Sequence, residues 1–302
     1  MSAFNFSKKI CFVFSFMLFF SFFTAKRSYS QEFVISEEKK SSFVLQDLSQ
    51  TFEISLLKES ILLGGGLVLT GTEFVLDNLT SFRQYEWSGK RNVSDVFFLD
   101  RLLMNPYSSS LNLAGTVTMG LCIAFPLVSL FSDWTSPSYQ DLAVYGTMYA
   151  ESLALAEGIK GLLKFFVFRP RPYCYFDDAP EEKIKDGDWS KSWPSGHTTY
   201  AFAGAAFASL TFILSHPDSI LNIPVTSISF ALAATTGALR IASGNHFLTD
   251  VLTGAVIGSF CGFAIPLIHY IRKENSSFDL DLAKKNAEIC ITPLSAGIKI
   301  NF

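Results

Sequence analysis

The chain has 302 residues, of which 49% are hydrophobic and only 17% charged, with 31 phenylalanines and a formal net charge of −3. That balance favours a helical membrane bundle over a soluble domain. No basic block points to a nucleic-acid partner, and the five cysteines (Cys11, Cys122, Cys174, Cys261 and Cys290) lack the paired spacing of a disulfide framework or a zinc site.

Residues 1–30 read as a signal peptide or N-terminal anchor. Lys8 and Lys9 precede an apolar run from Ile10 to Ala25, and Ser28-Tyr29-Ser30 supplies small residues at the cleavage positions. Residues 31–56 form a polar lead-in. Ser60–Leu76 is apolar but carries Gly64–Gly66 and falls short of the roughly 20 residues a crossing needs, so it reads as a short span or an interfacial helix. Asp77–Pro106 is a polar connection, Leu111–Phe131 is predicted to span, and Ser132–Gln140 is a polar turn. Leu142–Phe168 is predicted as a long helix whose apolar body is interrupted by Glu151, Glu157, Lys160 and Lys164. An ionisable group at bilayer depth costs about 2.5–3.5 kcal/mol or more, so these four are expected to face the bundle interior and mark a functional path. Glu157, Lys160 and Lys164 share one helical face. The prolines of Arg169-Pro170-Arg171-Pro172 end the helix, and Arg169 itself reads as a surface cation. After the charged loop Tyr173–Ser192 come helices predicted at Thr198–Leu214, Ile223–Ala242 and Phe247–Ile271. Residues 276–302 are a polar tail in which Ile291–Phe302 alternates like a strand. Cys122 and Cys261, inside apolar runs, read as small core residues.

The chemistry concentrates between Lys164 and Asp250. His246 and Asp250 are four apart at the predicted start of the last helix, so the carboxylate is placed to accept one ring N–H and leave the other nitrogen free. A histidine so oriented serves as a nucleophile or base. Taken alone, the pair reads more readily as a structural hydrogen bond. His197 follows Pro194-Ser195-Gly196 at a predicted helix start, where free N–H groups and the dipole favour a phosphate. Gly196 permits close backbone approach and Ser195 adds a hydroxyl, though Ser195 alone also fits a plain N-cap. Lys164, Arg171 and Arg240 each have an interfacial alternative, but all sit at helix ends that can converge on one side of a membrane. Arginine grips phosphate oxygens with paired bonds and lysine adds a point charge.

The full pattern runs Lys164, six residues, Arg171-Pro172; Pro194-Ser195-Gly196-His197; then Arg240, five residues, His246, three residues, Asp250. It resembles the three-part signature of the type 2 phosphatidic acid phosphatase superfamily over about residues 110–271, with one departure. Leu239 stands where the family usually has serine, which removes a hydroxyl donor. The resemblance implies an all-α, membrane-embedded bundle of five or six transmembrane helices, of the type shared with haloperoxidases, here spanning residues 57–275. It further implies that His246 attacks phosphorus, Asp250 orients it, and His197 protonates the leaving group and then activates water. Lys164, Arg171, Ser195, Gly196 and Arg240 would hold the phosphate oxygens. No metal and no other cofactor is implied.

The implied partners are the lipid bilayer and a phosphorylated membrane lipid: undecaprenyl pyrophosphate, phosphatidylglycerol phosphate, phosphatidic acid or a lipid A phosphate. The implied reaction is metal-independent hydrolysis through a phosphohistidine. The alternatives are a lipid phosphotransferase of the same family and a non-enzymatic membrane protein with a decayed site. The expected location is a bacterial inner membrane. The side follows from how many segments cross before residue 106. Lysines and arginines crowd the catalytic loops, which by themselves favour the cytoplasm, whereas phosphate binding accounts for several of them. Bacterial lipid phosphatases of this kind mostly work outside, and Ser60–Leu76 is short, so the periplasm is the expectation.

Overall fold

The structure, a computed structural model, describes residues 44–46, 51–79, 86–130, 137–271, 287–292 and 295–300. The proposed signal segment lies outside them. Among the described residues, six long helices form the bundle: α1 (Leu56–Leu79), α2 (Ser109–Ala124), α3 (Tyr139–Phe166), α4 (Gly196–Ser215), α5 (Asn222–Ala242) and α6 (Leu248–His269). Two antiparallel strand pairs flank them, β1 (Val44–Gln46) with β2 (Glu53–Ser55) and β3 (Ala287–Thr292) with β4 (Ser295–Ile300). The alternation expected at Ile291–Phe302 thus belongs to a hairpin that begins earlier, at Ala287.

α1, α4, α5 and α6 are each long and apolar enough to cross a membrane. At 1.5 Å per residue, 20 to 22 residues reach roughly 30–33 Å, the thickness of a hydrocarbon core. Their outward positions are apolar, among them Leu67, Phe74, Ile228, Val256 and Phe260, as lipid contact requires. Two expectations change. The weak stretch Ser60–Leu76 is part of one 24-residue helix, and it lies along α3, with Gly66 beside Ala154, Gly158 beside Leu69 and Gly161 beside Glu73. Numbers rise together on both helices, so α1 and α3 run parallel. The predicted span Leu111–Phe131 stops at Ala124 and resumes as a single turn at Leu127–Leu130. Pro126 explains the break, since its ring forbids the N–H bond that would continue the helix.

α4 is the hub, packing on α2, α3, α5 and α6. Its tightest contact is with α6, where Gly254, Gly258 and Gly262 recur every four residues against the α4 backbone. A Cβ at Gly254 would lie 2.6 Å from the Ser195 carbonyl oxygen, so glycine is what lets the two helices approach. This stripe also registers the two helix starts against each other, and Ser195 N–H donates to the Asp250 carbonyl at 3.1 Å. The N-termini of α2, α4 and α6 therefore meet the C-termini of α1, α3 and α5 at one end of the bundle.

The loop after α3 is better built than a charged linker. Tyr173, Cys174 and Trp189 are buried in it against Val96 and Phe247, and Trp87 meets Trp189 edge-on at 5.2 Å. A folded cap thus closes the end where the helix starts converge.

Candidate active site

His246 sits in the turn between α5 and α6, two residues before the helix rather than on it. The turn is shaped by Gly244, whose φ of +70° suits glycine and whose Cβ would lie 2.5 Å from the carbonyl oxygens of Asn105 and Pro106. The His246 N–H donates to the Arg240 carbonyl at 3.2 Å. On the other side, an Arg171 Nη1 lies 3.2 Å from His246 Nε2. A guanidinium can only donate. Nε2 is therefore the acceptor, and the ring proton belongs on Nδ1.

That Nδ1 lies 3.6 Å from Asp250 Oδ2, a little beyond hydrogen-bond length, and has no other partner among the described residues. The expected His246–Asp250 bond is thus an approach. Asp250 is meanwhile held on every side: Oδ2 accepts the Ser192 hydroxyl at 2.5 Å and the Phe247 N–H at 2.8 Å, while Oδ1 takes Arg169. Burial, and then the charges of Arg171, Lys164 and Arg240, hold His246 well below the usual imidazole range. It is neutral at pH 7, with its lone pair turned toward a guanidinium.

His197 opens α4. Its Nε2 lies 3.1 Å from Thr116 Oγ1, and that hydroxyl donates its own proton to the Asn112 carbonyl at 3.1 Å. With the hydroxyl proton committed, Nε2 is the donor and carries the ring proton. Arg240 reaches the same helix, donating to Asn112 Oδ1 at 2.7 Å, while its buried Nε has no partner among the described residues. Lys164 donates to the Lys191 carbonyl at 2.7 Å. Ser195 is the N-cap of α4 but makes no capping bond; its hydroxyl pairs with Thr198 at 2.9 Å. Gly196 faces the Lys160 side chain, and Lys160 itself is paired with Glu157 at 2.5 Å, as their shared face implies.

Lys164, Arg171, Ser195, Gly196, His197, Arg240, His246 and Asp250 therefore all lie at the end where the helix starts converge. Leu239, the departure, packs beside Gly115 of α2. Sequence reasoning passed over several neighbours. Asp188 holds Arg171 by Oδ1 at 2.6 Å and by its carbonyl at 2.9 Å. Burial alone would raise the Asp188 carboxyl, but Arg171 and Lys183 overcome it and bring it to about 2. Arg169 is no surface cation: it bridges Asp250 and Asp100, the latter at 2.5 Å, and lies over the Phe247 ring at 4.5 Å. Asn112 and Thr116 were open to detection as polar residues four apart in an apolar span. Asp100 left no such signal.

Several cations and helix N-termini around a neutral, oriented histidine are the groups that an anion site with a nucleophile requires. Residues 145–274 match the family model of the PAP2 superfamily. The chain is similar to the lipid A 1-phosphatase of Porphyromonas gingivalis, 32% identical over 117 residues, covering 37% of this chain and 25% of that protein. It is also similar to lipid phosphate phosphatase 2 of Arabidopsis thaliana, 27% identical over 146 residues, covering 39% of this chain and 49% of that protein. The chain thus spans a quarter to about half the length of these relatives. Among solved structures, Aquifex aeolicus LpxE aligns with a TM-score of 0.40 and 27% identity, covering 59% of this chain and 100% of that one.

Proposed function

We propose, from the match of residues 145–274 to the PAP2 superfamily model and the geometry of the site, that the chain hydrolyses a phosphomonoester or pyrophosphate on a membrane lipid through a phosphohistidine. The observation that carries this reading is the Arg171 contact to His246 Nε2 at 3.2 Å, which turns the unprotonated nitrogen toward the phosphate-binding cations. In the proposed reaction, the Nε2 lone pair forms a bond to phosphorus as the bond to the lipid oxygen breaks. The His197 imidazolium gives its proton to that oxygen. Neutral His197 then takes a proton from water, the hydroxide displaces Nε2 from phosphorus, and phosphate leaves with both histidines restored. Asp250 balances the positive charge on His246 during the intermediate. Lys164, Arg171 and Arg240, with the N–H groups at Ser195 and Gly196, hold the phosphoryl oxygens as charge grows on them.

The bundle brings this site to the membrane face, so an amphiphilic phosphate is the fitting substrate: undecaprenyl pyrophosphate, phosphatidylglycerol phosphate, phosphatidic acid or a lipid A phosphate. The relatives named for lipid A and lipid phosphates support the class. The test is phosphate release from that panel by detergent-purified protein in EDTA, with His246→Ala beside it. Release that persists in EDTA and disappears in the variant is expected. Release that depends on an added lipid acceptor would identify a phosphotransferase, and none under either condition would sink the enzymatic reading.

A periplasmic site in a bacterial inner membrane now carries a condition. With α1 a full-length helix parallel to α3, a periplasmic site requires residue 51 to lie in the cytoplasm. An exported residue 51 puts the site on the cytoplasmic face. A cysteine placed in the Tyr173–Ser192 loop and labelled in intact cells supports the periplasm, and labelling only after lysis rejects it.

A further inference from the structure

Away from the catalytic groups, at the other end of the bundle, three ionisable side chains from three helices face one another. They are Glu59 of α1, Glu151 of α3 and His269 of α6, with ligand atoms all within 4.8 Å. His269 Nδ1 lies 2.9 Å from the Ile265 carbonyl oxygen, which can only accept, so the ring proton is on Nδ1. Nε2 faces Glu59 Oε2 at 3.0 Å and Glu151 Oε2 at 3.4 Å, and in the neutral ring it presents a lone pair to them. The other Glu59 oxygen accepts the Ser55 N–H at 2.9 Å. Glu151 is fully buried, and neither of its oxygens has a hydrogen-bond partner among the described residues. With the ring neutral and both carboxyl groups ionised, three lone-pair atoms converge here and call for a proton or a cation between them. The nearby Lys58 pairs instead with Glu53 at 3.5 Å. An uncompensated buried carboxylate is too costly to leave so.

We propose that Glu59, Glu151 and His269 hold a divalent transition-metal ion of the zinc type. Imidazole nitrogen with carboxylate oxygen is a common zinc ligand set, and a fourth position is left for water. The separations of 3.0 and 3.4 Å suit it: ligands about 2.1 Å from a tetrahedral ion stand about 3.4 Å apart. The bond from Nδ1 to a backbone carbonyl is the usual way a metal-bound histidine is oriented. Asp250 and His269 are 19 residues apart on one helix, or about 28 Å, so this ion takes no part in phosphate chemistry. It ties α1, α3 and α6 together where no loop joins them. The cysteine spacing held no zinc site, and this one uses no cysteine. Glu151, expected to lie on a functional path with Lys164, belongs to this second site.

The test uses the full chain in detergent, stripped with EDTA and dialysed, then given zinc, with magnesium as control. Metal analysis is expected to find one zinc per chain, and zinc but not magnesium raises Tm by about 5 °C at saturation. Glu151→Gln and His269→Gln are each expected to lose the bound zinc and the Tm response, while Glu151→Gln keeps phosphate release within about twofold at a temperature where it is folded. Wild-type protein that takes up no zinc overturns the proposal, and so does Glu151→Gln that binds zinc as the wild type does. A Glu151→Gln variant that is more stable than metal-free wild type, in a protein without zinc uptake, would assign the cluster to a shared proton. If the variants do not fold, zinc uptake by the wild type alone decides.

Discussion

The two ends of the bundle solve opposite electrostatic problems with similar materials. At the catalytic end, cations outnumber the carboxylates, and each carboxylate is spent on positioning one of them: Asp188 on Arg171, and Asp100 and Asp250 on Arg169. The unspent positive charge, with three helix N-termini, is what a phosphate would neutralise. At the other end, two carboxyl groups face one histidine, and with both ionised the surplus is negative. Buried surplus charge of either sign is expensive, and the two proposals answer it in opposite ways, with an anion that turns over at one end and a cation that stays at the other. The comparison also explains why both ends draw on the same helices. α3 and α6 each bring polar groups to both ends, and the apolar packing between them keeps the two sites independent.

The sharpest way to break this comparison is at the nucleophile. His246→Ala is expected to lower kcat by about 10⁴-fold or more, since groups that act as a unit lose most of their effect when one is removed. Turnover near wild type would mean that the anion site has no nucleophile at His246. Arg171→Gln comes next, with a loss of about 10²–10³ in kcat/KM for a missing phosphate clamp. It should also move the pH profile. Burial first, and then Arg171, hold His246 below the usual imidazole range, so its reactive neutral form persists as pH falls. Without Arg171 the imidazole protonates sooner, and the acid limb of kcat/KM moves up toward the ordinary range near pH 6.5. Because the folded-state value is lowered, the associated stability is present above that range and lost as pH falls below it. An unmoved acid limb in the variant would assign the limb to another group.

A third prediction concerns positioning. Asp100 is fully buried, 2.5 Å from Arg169, and accepts the Thr249 N–H at 2.9 Å. Asp100→Asn and Arg169→Gln are each expected to reduce kcat about tenfold with KM nearly unchanged, because they act through Asp250 and not through phosphate. The double variant should lose little more than either single one, as coupled members of one network do. Additive losses, or a change confined to KM, would place Arg169 on the substrate instead.

What could be read from the residues alone follows a physical division. Lys164, Arg171, Ser195, Gly196, His197, Arg240, His246 and Asp250 lie at regular spacings near helix ends, where local geometry restricts which groups can meet. Asp100 meets Arg169 across 69 positions, and no local pattern marks such a partner. The helices were legible from apolar length. Their ends were less so, because Pro126 broke one span and α1 continued on either side of the stretch that looked too short. The three-glycine triplet suggested weakness there, yet Gly66 lies against Ala154 of α3. The Glu59–Glu151–His269 cluster was least legible of all. Its members are separated by most of the chain and share no motif.

The smallest effect tests the acid. Thr116 is the group that receives the His197 Nε2 proton at 3.1 Å, and its own proton goes to the Asn112 carbonyl. Thr116→Val removes the acceptor and keeps the shape. A net hydrogen bond of about 0.5–1.5 kcal/mol corresponds to a change of roughly 2–10-fold, and the sign depends on the substrate. With a poor leaving group the imidazole must be aligned to give up its proton, so kcat should fall by about 2–5-fold. With an activated ester such as p-nitrophenyl phosphate, whose leaving oxygen needs little protonation, the loss should shrink toward none. An equal loss on both esters would mean that Thr116 shapes the pocket and does not act through His197. A loss confined to the poor leaving group ties the α2 hydroxyl to the acid, and so makes α2 part of the catalytic end in chemistry as well as in packing.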